Sequence, residues 1–510
     1  MANAQHTRSA HGTADEVNLE FDAHRTGTDE GHHPPILVLS RDANLVETVK
    51  KAAPRGTPVA RRRFLQTTGM ALAGGVLFSC TGGRTIPKVS DDPVTPAIDT
   101  ATPIKRVVYI MLENRSFNNV FGRFPGVKGG TETGVEFGTE KPLIDCPEWL
   151  PGDLPHDRAA YLTCVNEGAM DGFGIGAYGS TYAYTVFNEH QIPNYWKWAK
   201  EYALSDNFYA SAAGPSYANH YYFIAGQSGG VIDNPENIET RFRDGKPYKS
   251  WGCDAYGEDV FVFAKDAKGN LSKHDTCFSF KTVGQQLSEQ DVDWAYYSAV
   301  PGQPGYMWNA YNGISDVFHT DMWHQHMRPV DNIVKDIKAN KLPAVTWVTP
   351  RFELSDHPPQ STGFSHNWVT DIVNAVMTSD AWEHTAIFLT WDEWGGFYDP
   401  IMPPEVDPIG LGIRVPLLTI SPYTQRGVID TELGEFSTPL RFISDNWGLE
   451  PLTPRIANTH NFDHVFDFNQ KPRAPVLGKR RAPTYGNPWD FPEGYDGWEP
   501  GTEPDPSVFV

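Results

Sequence analysis

Residues 107–117, VVYIMLENRSF, decide how the chain is to be read. From Val107 to Leu112 every side chain is apolar or aromatic, so both faces of a strand built here must be covered. Antiparallel strands commonly wet one face; a strand apolar on both faces belongs to a largely parallel sheet with helices on either side. The run then stops on Glu113 and Asn114, a carboxylate and an amide at the edge of a core. The same pattern recurs at 385–393, where TAIFLTW ends on Asp392 and Glu393, followed by the backbone-freeing pair Gly395 and Gly396. In open α/β sheets ligands sit outside the carboxyl ends of the strands. Both strand ends are therefore candidate site positions.

Outward from these two runs, strands are expected at 293–300, 343–350 and 414–423, and helices at 194–204, 281–290, 329–342, 367–379 and 438–449. In the 329–342 segment Val330, Ile333, Val334 and Ile337 fall on one helical face. Alternating strands and helices imply an α/β fold: a doubly wound, largely parallel sheet with helices on both faces. This body spans about 86–470, and residues 471–510, rich in Pro, Gly and Trp, read as an irregular tail along its surface.

Residues 1–85 are set apart from the fold. At 60–80, ARRRFLQTTGMALAGGVLFSC, arginines precede a short apolar run and a small-residue exit, the pattern of a twin-arginine signal peptide. It predicts engagement of the twin-arginine export machinery and a location in the cell envelope or outside the cell. Cys80 stands where a lipid anchor would be attached and is the candidate membrane tether. With Cys80 set aside, Cys146, Cys164, Cys253 and Cys277 make an even set, and the shorter loops favour Cys146–Cys164 and Cys253–Cys277 over the other two connectivities. A formal charge of −21 excludes the basic surface that non-specific nucleic-acid binding requires.

Four acidic or amide groups at two strand ends form an oxygen-rich cluster suited to a hard divalent cation. In 214–226, GPSYANHYYFIAG, Ser216 opens a helical stretch after a Gly-Pro turn, where the helix dipole favours a phosphate beside a hydroxyl nucleophile. Ser228, in GQSGG, fits the G-x-S-x-G pattern of serine esterases, but that motif needs a strand before it and a helix after it. Here a helix precedes and a loop follows, so Ser228 reads as a helix-exit residue. His156, His220, His357 and the 319–326 group with His319, His324 and His326 supply imidazoles, and Asp171 lies in a turn of small residues.

Taken together, ENRSFNNVFG, MDGF, GPS followed by NH, DHPP and DEWGGFYD resemble, in this order, the bacterial phosphoesterase family of the alkaline-phosphatase superfamily. That family includes phospholipases C and acid phosphatases, and the resemblance covers about 105–449. It implies an alkaline-phosphatase-like fold and an exported, metal-dependent hydrolase of phosphate esters that works through a phosphoserine. One divalent metal ion, calcium, zinc or magnesium, would be held by Glu113, Asn114, Ser216, Asp392 and Glu393. Ser216 would be the nucleophile, with His156 and His357 as proton-transfer groups near the phosphate. Asn219, His220 and His326 would contact substrate, either a simple phosphate ester or a phospholipid headgroup. Asn118-Asn119 and Pro400 depart from the family, which commonly has Asp-His and His there. The alternatives are a phospholipase C and a catalytically silent envelope lipoprotein that keeps the fold for binding.

Overall fold

A computed structural model describes residues 99–174, 180–243 and 246–483. The export segment, Cys80 and the end of the tail lie outside the described residues. Arg106–Leu112 forms β1, as its apolar run requires, and Thr385–Trp391 forms β6. The rest of the central sheet comprises β2 (Ala203–Ser205), β3 (Trp294–Ser298), β4 (Met327–Pro329), β5 (Val345–Val348), β7 (Leu417–Ile420) and β8 (Val428–Asp430). Across the sheet the order is β4-β3-β5-β1-β6-β7-β2-β8. β1 lies parallel to β5 and to β6, so the two motif-bearing strands are neighbours in the middle of the sheet. β7 alone runs against its neighbours, pairing antiparallel with β6 and with β2. No helix intervenes between β6 and β7, and a return without a crossover must be antiparallel.

The faces are covered by α1 (Pro193–Glu201), α2 (Ser216–Ala225), α3 (Val283–Glu289), α4 (Ile333–Lys338), α5 (Thr362–Met377) and α6 (Ser437–Trp447). Register places Tyr296, Trp347, Tyr109 and Phe388 in one row across four strands. Along this row the Tyr109 ring meets Phe223 of α2 at 4.3 Å, and Trp347 Nε1 donates to the Phe223 carbonyl at 3.0 Å. Phe388 meets Phe442 of α6. Such aromatic pairs add about 0.5–1.5 kcal/mol each beyond their buried area. The row thus fixes the helix that begins at Ser216. Trp391, three residues beyond Phe388, faces the other side and meets Tyr195 of α1. On that side Asn194 of α1 donates to Thr370 of α5 at 2.7 Å.

Two local readings are corrected. The helix expected over 194–204 ends at Glu201, because Tyr202 leaves helical geometry and the chain enters β2. Of the two expected disulfides, Cys253–Cys277 is present, whereas Cys146 and Cys164 are free and buried. The Cys146 backbone pairs with Val186 and its sulfur lies by Arg115; Cys164, on the helix Arg158–Val165, interacts with Trp394. Each thiol is packed against its own neighbours, and the short loop between them does not bring them together. Residues 471–483 carry no regular element and lie along α1 and α5, with Lys479 bonded to Asn194 and Gly478 to Asn374. Among the described residues no helix is long and apolar enough to cross a membrane.

Candidate active site

Leu112 and Trp391 are register partners, and Asp392 N donates to the Leu112 carbonyl at 2.9 Å. Glu113-Asn114 and Asp392-Glu393 therefore leave the sheet in step. Asn114 turns through the left-handed region (φ 54°), which asparagine tolerates, and its N–H donates to Asp392 Oδ1 at 2.8 Å. Gly395 closes the opposite turn. A Cβ at Gly395 would meet the Asn114 carbonyl at 2.5 Å, so only glycine lets the two strand-end loops approach. The Gly395 N–H donates to Glu393 Oε2 at 2.8 Å.

All four side chains are fully buried. Asn114 Oδ1, Asp392 Oδ2 and Glu393 Oε1 nevertheless have no hydrogen-bond partner. Burial pushes Glu113 and Glu393 well above the ordinary carboxylate range and Asp392 up to about 8, and each charge repels the next. Three carboxylates in a dry site cannot all ionise without a positive charge among them.

Ser216 and His220 reach this cluster from α2. Their spacing of four residues puts both on one helical face. The Ser216 hydroxyl donates to Glu113 Oε2 at 3.3 Å, and His220 Nε2 lies 2.7 Å from Glu113 Oε1 and 3.9 Å from Asp392 Oδ2. Burial pushes His220 down to about 4, so the ring is neutral and donates through Nε2. The ligand atoms of Glu113, His220 and Asp392 all fall within 4.8 Å of one another. Orphaned buried oxygens, an oxygen-rich donor set and an adjacent imidazole fit a divalent cation.

Asn219 faces away. Its side-chain oxygen accepts from the Ala212 N–H at 2.9 Å, and its amide donates to the carbonyls of Gly214 and Pro215. The side chain expected to meet substrate thus shapes the Gly-Pro turn that presents Ser216.

A rim of imidazoles lies beside the cluster. Asn114 Nδ2 donates to His156 Nε2 at 3.2 Å, while His156 Nδ1 faces the Leu154 carbonyl at 2.6 Å. This pattern fixes the Nδ1–H tautomer of His156 and leaves Asn114 Oδ1 free to bind a cation. The His156 and His357 rings lie 5.5 Å apart, and His357 Nδ1 donates to the Pro358 carbonyl, leaving Nε2 with its lone pair. Burial pushes His357 down to about 4. Asp153, which the sequence did not single out, lies 3.6 Å from His156 and 3.9 Å from His357. It sits in a Pro-rich loop where no periodicity could have marked it.

Other expected residues stand elsewhere. His326 stacks on Trp294 at 4.0 Å and donates from Nδ1 to that residue's carbonyl at 2.8 Å. Trp294 is in register with Val107, five residues before the carboxyl end of β1, so His326 lies about 17 Å along the sheet from the cluster. Its expected role as a substrate contact is corrected on this ground. Ser228 follows the α2 C-cap Gly226 and spends its hydroxyl on the Val231 carbonyl. Asp171 accepts from Asn166 in a turn. Asn118 and Asn119 are fully buried, with Asn119 bonded to Thr185.

Residues 104–450, over half the chain, match the model of the phosphoesterase family. The hemolytic phospholipase C of Pseudomonas aeruginosa is 26% identical, the alignment covering 80% of this chain and 62% of the relative. The non-hemolytic phospholipase C of Burkholderia pseudomallei is 23% identical over 69% of this chain and 56% of its own length. Phospholipase C B of Mycobacterium tuberculosis is 23% identical over 81% and 87%. The chain thus spans about three fifths of the first two relatives. Among solved structures, a protein in the alkaline phosphatase superfamily from Vibrio parahaemolyticus aligns over 72% of this chain and 74% of its own, with 10% identity and a TM-score of 0.35. That likeness is too distant to bear on chemistry.

Proposed function

The chain belongs to the phosphoesterase family, and we propose that it hydrolyses phosphate esters with Ser216 as the nucleophile and a divalent cation as cofactor. The observation that carries this reading is the bond from the Ser216 hydroxyl to Glu113 within a cluster of three fully buried carboxylates, in which Asp392 Oδ2 and Glu393 Oε1 have no hydrogen-bond partner among the described residues. Glu113, Asn114, Asp392 and Glu393 would hold the cation, with Ser216 beside it. Once bound, such an ion offsets phosphate charge and makes a hydroxyl easier to ionise.

The residues of the chain supply the remainder. The Ser216 proton points to Glu113, which leaves the Oγ lone pairs free for the phosphorus. At the N-terminus of α2, Oγ stands where the helix dipole favours the phosphate's negative charge. Attack passes the Ser216 proton to Glu113, forms the Oγ–P bond and breaks the P–O bond to the leaving alkoxide, which takes its proton from solvent. A water then attacks the phosphoserine, giving a proton to His357 Nε2, and Ser216 Oγ takes its proton back from Glu113 as phosphate departs. His357 Nε2 carries the free lone pair suited to the second proton transfer. His156 holds Asn114 in place, and Asn219 holds the turn before Ser216.

The substrate class follows from the relatives: their names favour phospholipid headgroups, and a simple phosphomonoester is the second reading. The segment at 60–80 supports export by the twin-arginine route, with Cys80 as an anchor position. The test is turnover of p-nitrophenyl phosphate and p-nitrophenyl phosphorylcholine, with and without chelator. Activity on either that chelation abolishes and added metal restores supports the proposal; no turnover with any divalent metal supports a binding role instead.

A further inference from the structure

A second group of ligand-type side chains lies at the far edge of the sheet. Asp430 is the last residue of β8, and β8 stands three strands from β6, about 14 Å away. Against it fold His460 and His464, from the stretch that follows the short helix Pro454–Asn458. The ligand atoms of Asp430, His460 and His464 all lie within 4.8 Å of one another. Their rings are 5.2 Å apart, and His464 Nε2 is 2.6 Å from Asp430 Oδ1.

An ion pair between His464 and Asp430 accounts for one imidazole only. It leaves His460 Nε2 buried with no partner. The ring's other nitrogen meets only the Phe462 N–H, at 3.3 Å, near the long limit of such bonds. Beside Nε2 the chain carries Gly434, and a Cβ there would come within 3.3 Å of that nitrogen. That Cβ would meet the Phe208 ring first, at 2.8 Å, so the backbone at Gly434 packs closely between this ring and the imidazole.

Metal-binding residues are typically oriented by outer partners: a carboxylate or carbonyl on the second ring nitrogen, and hydrogen bonds to a ligating carboxylate. Both are present. The Ser205 hydroxyl donates to Asp430 Oδ2 at 2.7 Å, and the Glu432 N–H donates to Oδ1 at 3.1 Å. His464 Nε2 now donates to Asp430 Oδ1 at 2.6 Å and must give up that proton to ligate; Glu432 Oε1, 3.7 Å from Nδ1, stands where it would face an Nδ1–H. Two imidazoles and one carboxylate form a donor set for a borderline ion such as zinc rather than for calcium or magnesium.

We propose that Asp430, His460 and His464 form a second metal site, of the zinc type, which ties the 460–464 segment to the free edge of the central sheet. His460 Nε2, His464 Nε2 and one Asp430 oxygen are the three protein ligands, and water takes a fourth position. On loading, the His460 proton resides on Nδ1 and the contact with the Phe462 N–H is given up.

The test uses the whole chain, stripped of metal and dialysed against zinc or cobalt(II). A Glu113→Gln/Asp392→Asn protein, disabled at the strand-end cluster, retains one equivalent of zinc and shows the intense visible band of four-coordinate cobalt(II). Adding His460→Gln and His464→Gln removes both the equivalent and the band. Absence of zinc from the first protein, or an unchanged equivalent after the histidine changes, overturns the proposal. The first measurement leaves the edge residues intact, so it stands even if the histidine variant does not fold. If the strand-end cluster binds no metal at all, the wild-type chain still carries the edge equivalent, so the two readings fail separately.

Discussion

Two fully buried carboxylate sites, both built from the segment after β6, solve the same electrostatic problem in opposite ways. Asp399 is paired with Arg414: Nε donates to Oδ1 at 3.0 Å and Nη2 to Oδ2 at 3.1 Å. Backbone N–H groups of Asn118 and Ile401 complete its shell. Burial lifts Asp399, and the Arg414 charge opposes the rise. A few residues away, Glu113, Asp392 and Glu393 are equally buried, yet among the described residues no Arg or Lys is paired with them, and Asp392 Oδ2 and Glu393 Oε1 have no hydrogen-bond partner. The difference separates a carboxylate neutralised by the fold from those we propose to hold a cation. The fold supplies the counter-charge to the first and leaves it to be supplied to the second.

The comparison can be broken most visibly at Ser216, the proposed nucleophile. Ser216→Ala removes the one hydroxyl at the unpaired site, and we expect kcat to fall by on the order of 10⁴-fold or more with the fold intact. Full activity in that variant would return the site to a purely structural role. Next comes the paired site. Asp399→Asn strands a buried guanidinium and is expected to cost about 3–5 kcal/mol in denaturant unfolding.

At the unpaired site the sign reverses in the metal-free protein. Asp392→Asn removes an ionisable group whose charge the buried, cation-free site disfavours, and should stabilise the apo chain by about 1–3 kcal/mol at pH 8. The pH dependence follows from the same residue. Its pKa rises from 3.8 to about 8 on folding, so between these values the folded state binds more protons than the unfolded one. The metal-free protein therefore loses stability as pH climbs through that window and levels off above it. Thermal melts across pH should show this slope, flattened by Asp392→Asn and by a bound divalent cation. The smallest effect is expected at His326, which belongs to neither site. His326→Gln should cost about 1 kcal/mol through its lost stack on Trp294 and leave kcat/KM unchanged.

The strand ends were legible because a buried strand that stops on carboxylates violates the local rule, and β1 and β6 proved to be register partners. Ser216 was legible as a helix start. His220 was found as a residue but not in its position: the four-residue spacing from Ser216 carried the signal that both face one cluster. Asn219 was misread because its neighbours are carbonyls of an irregular turn, which leave no trace in the sequence pattern. The Cys146–Cys164 pairing failed because a short loop lowers the entropy cost of closure without aiming the two sulfurs at each other. Asp153 joins the imidazoles only through the path of a loop.

Cation binding at the strand ends is the central claim, and metal stoichiometry tests it most directly. With His460→Gln and His464→Gln present throughout to silence the edge site, the otherwise wild-type chain should bind one divalent equivalent. Adding Glu113→Gln and Asp392→Asn should reduce that to none. Equal metal content in the two proteins would contradict the account.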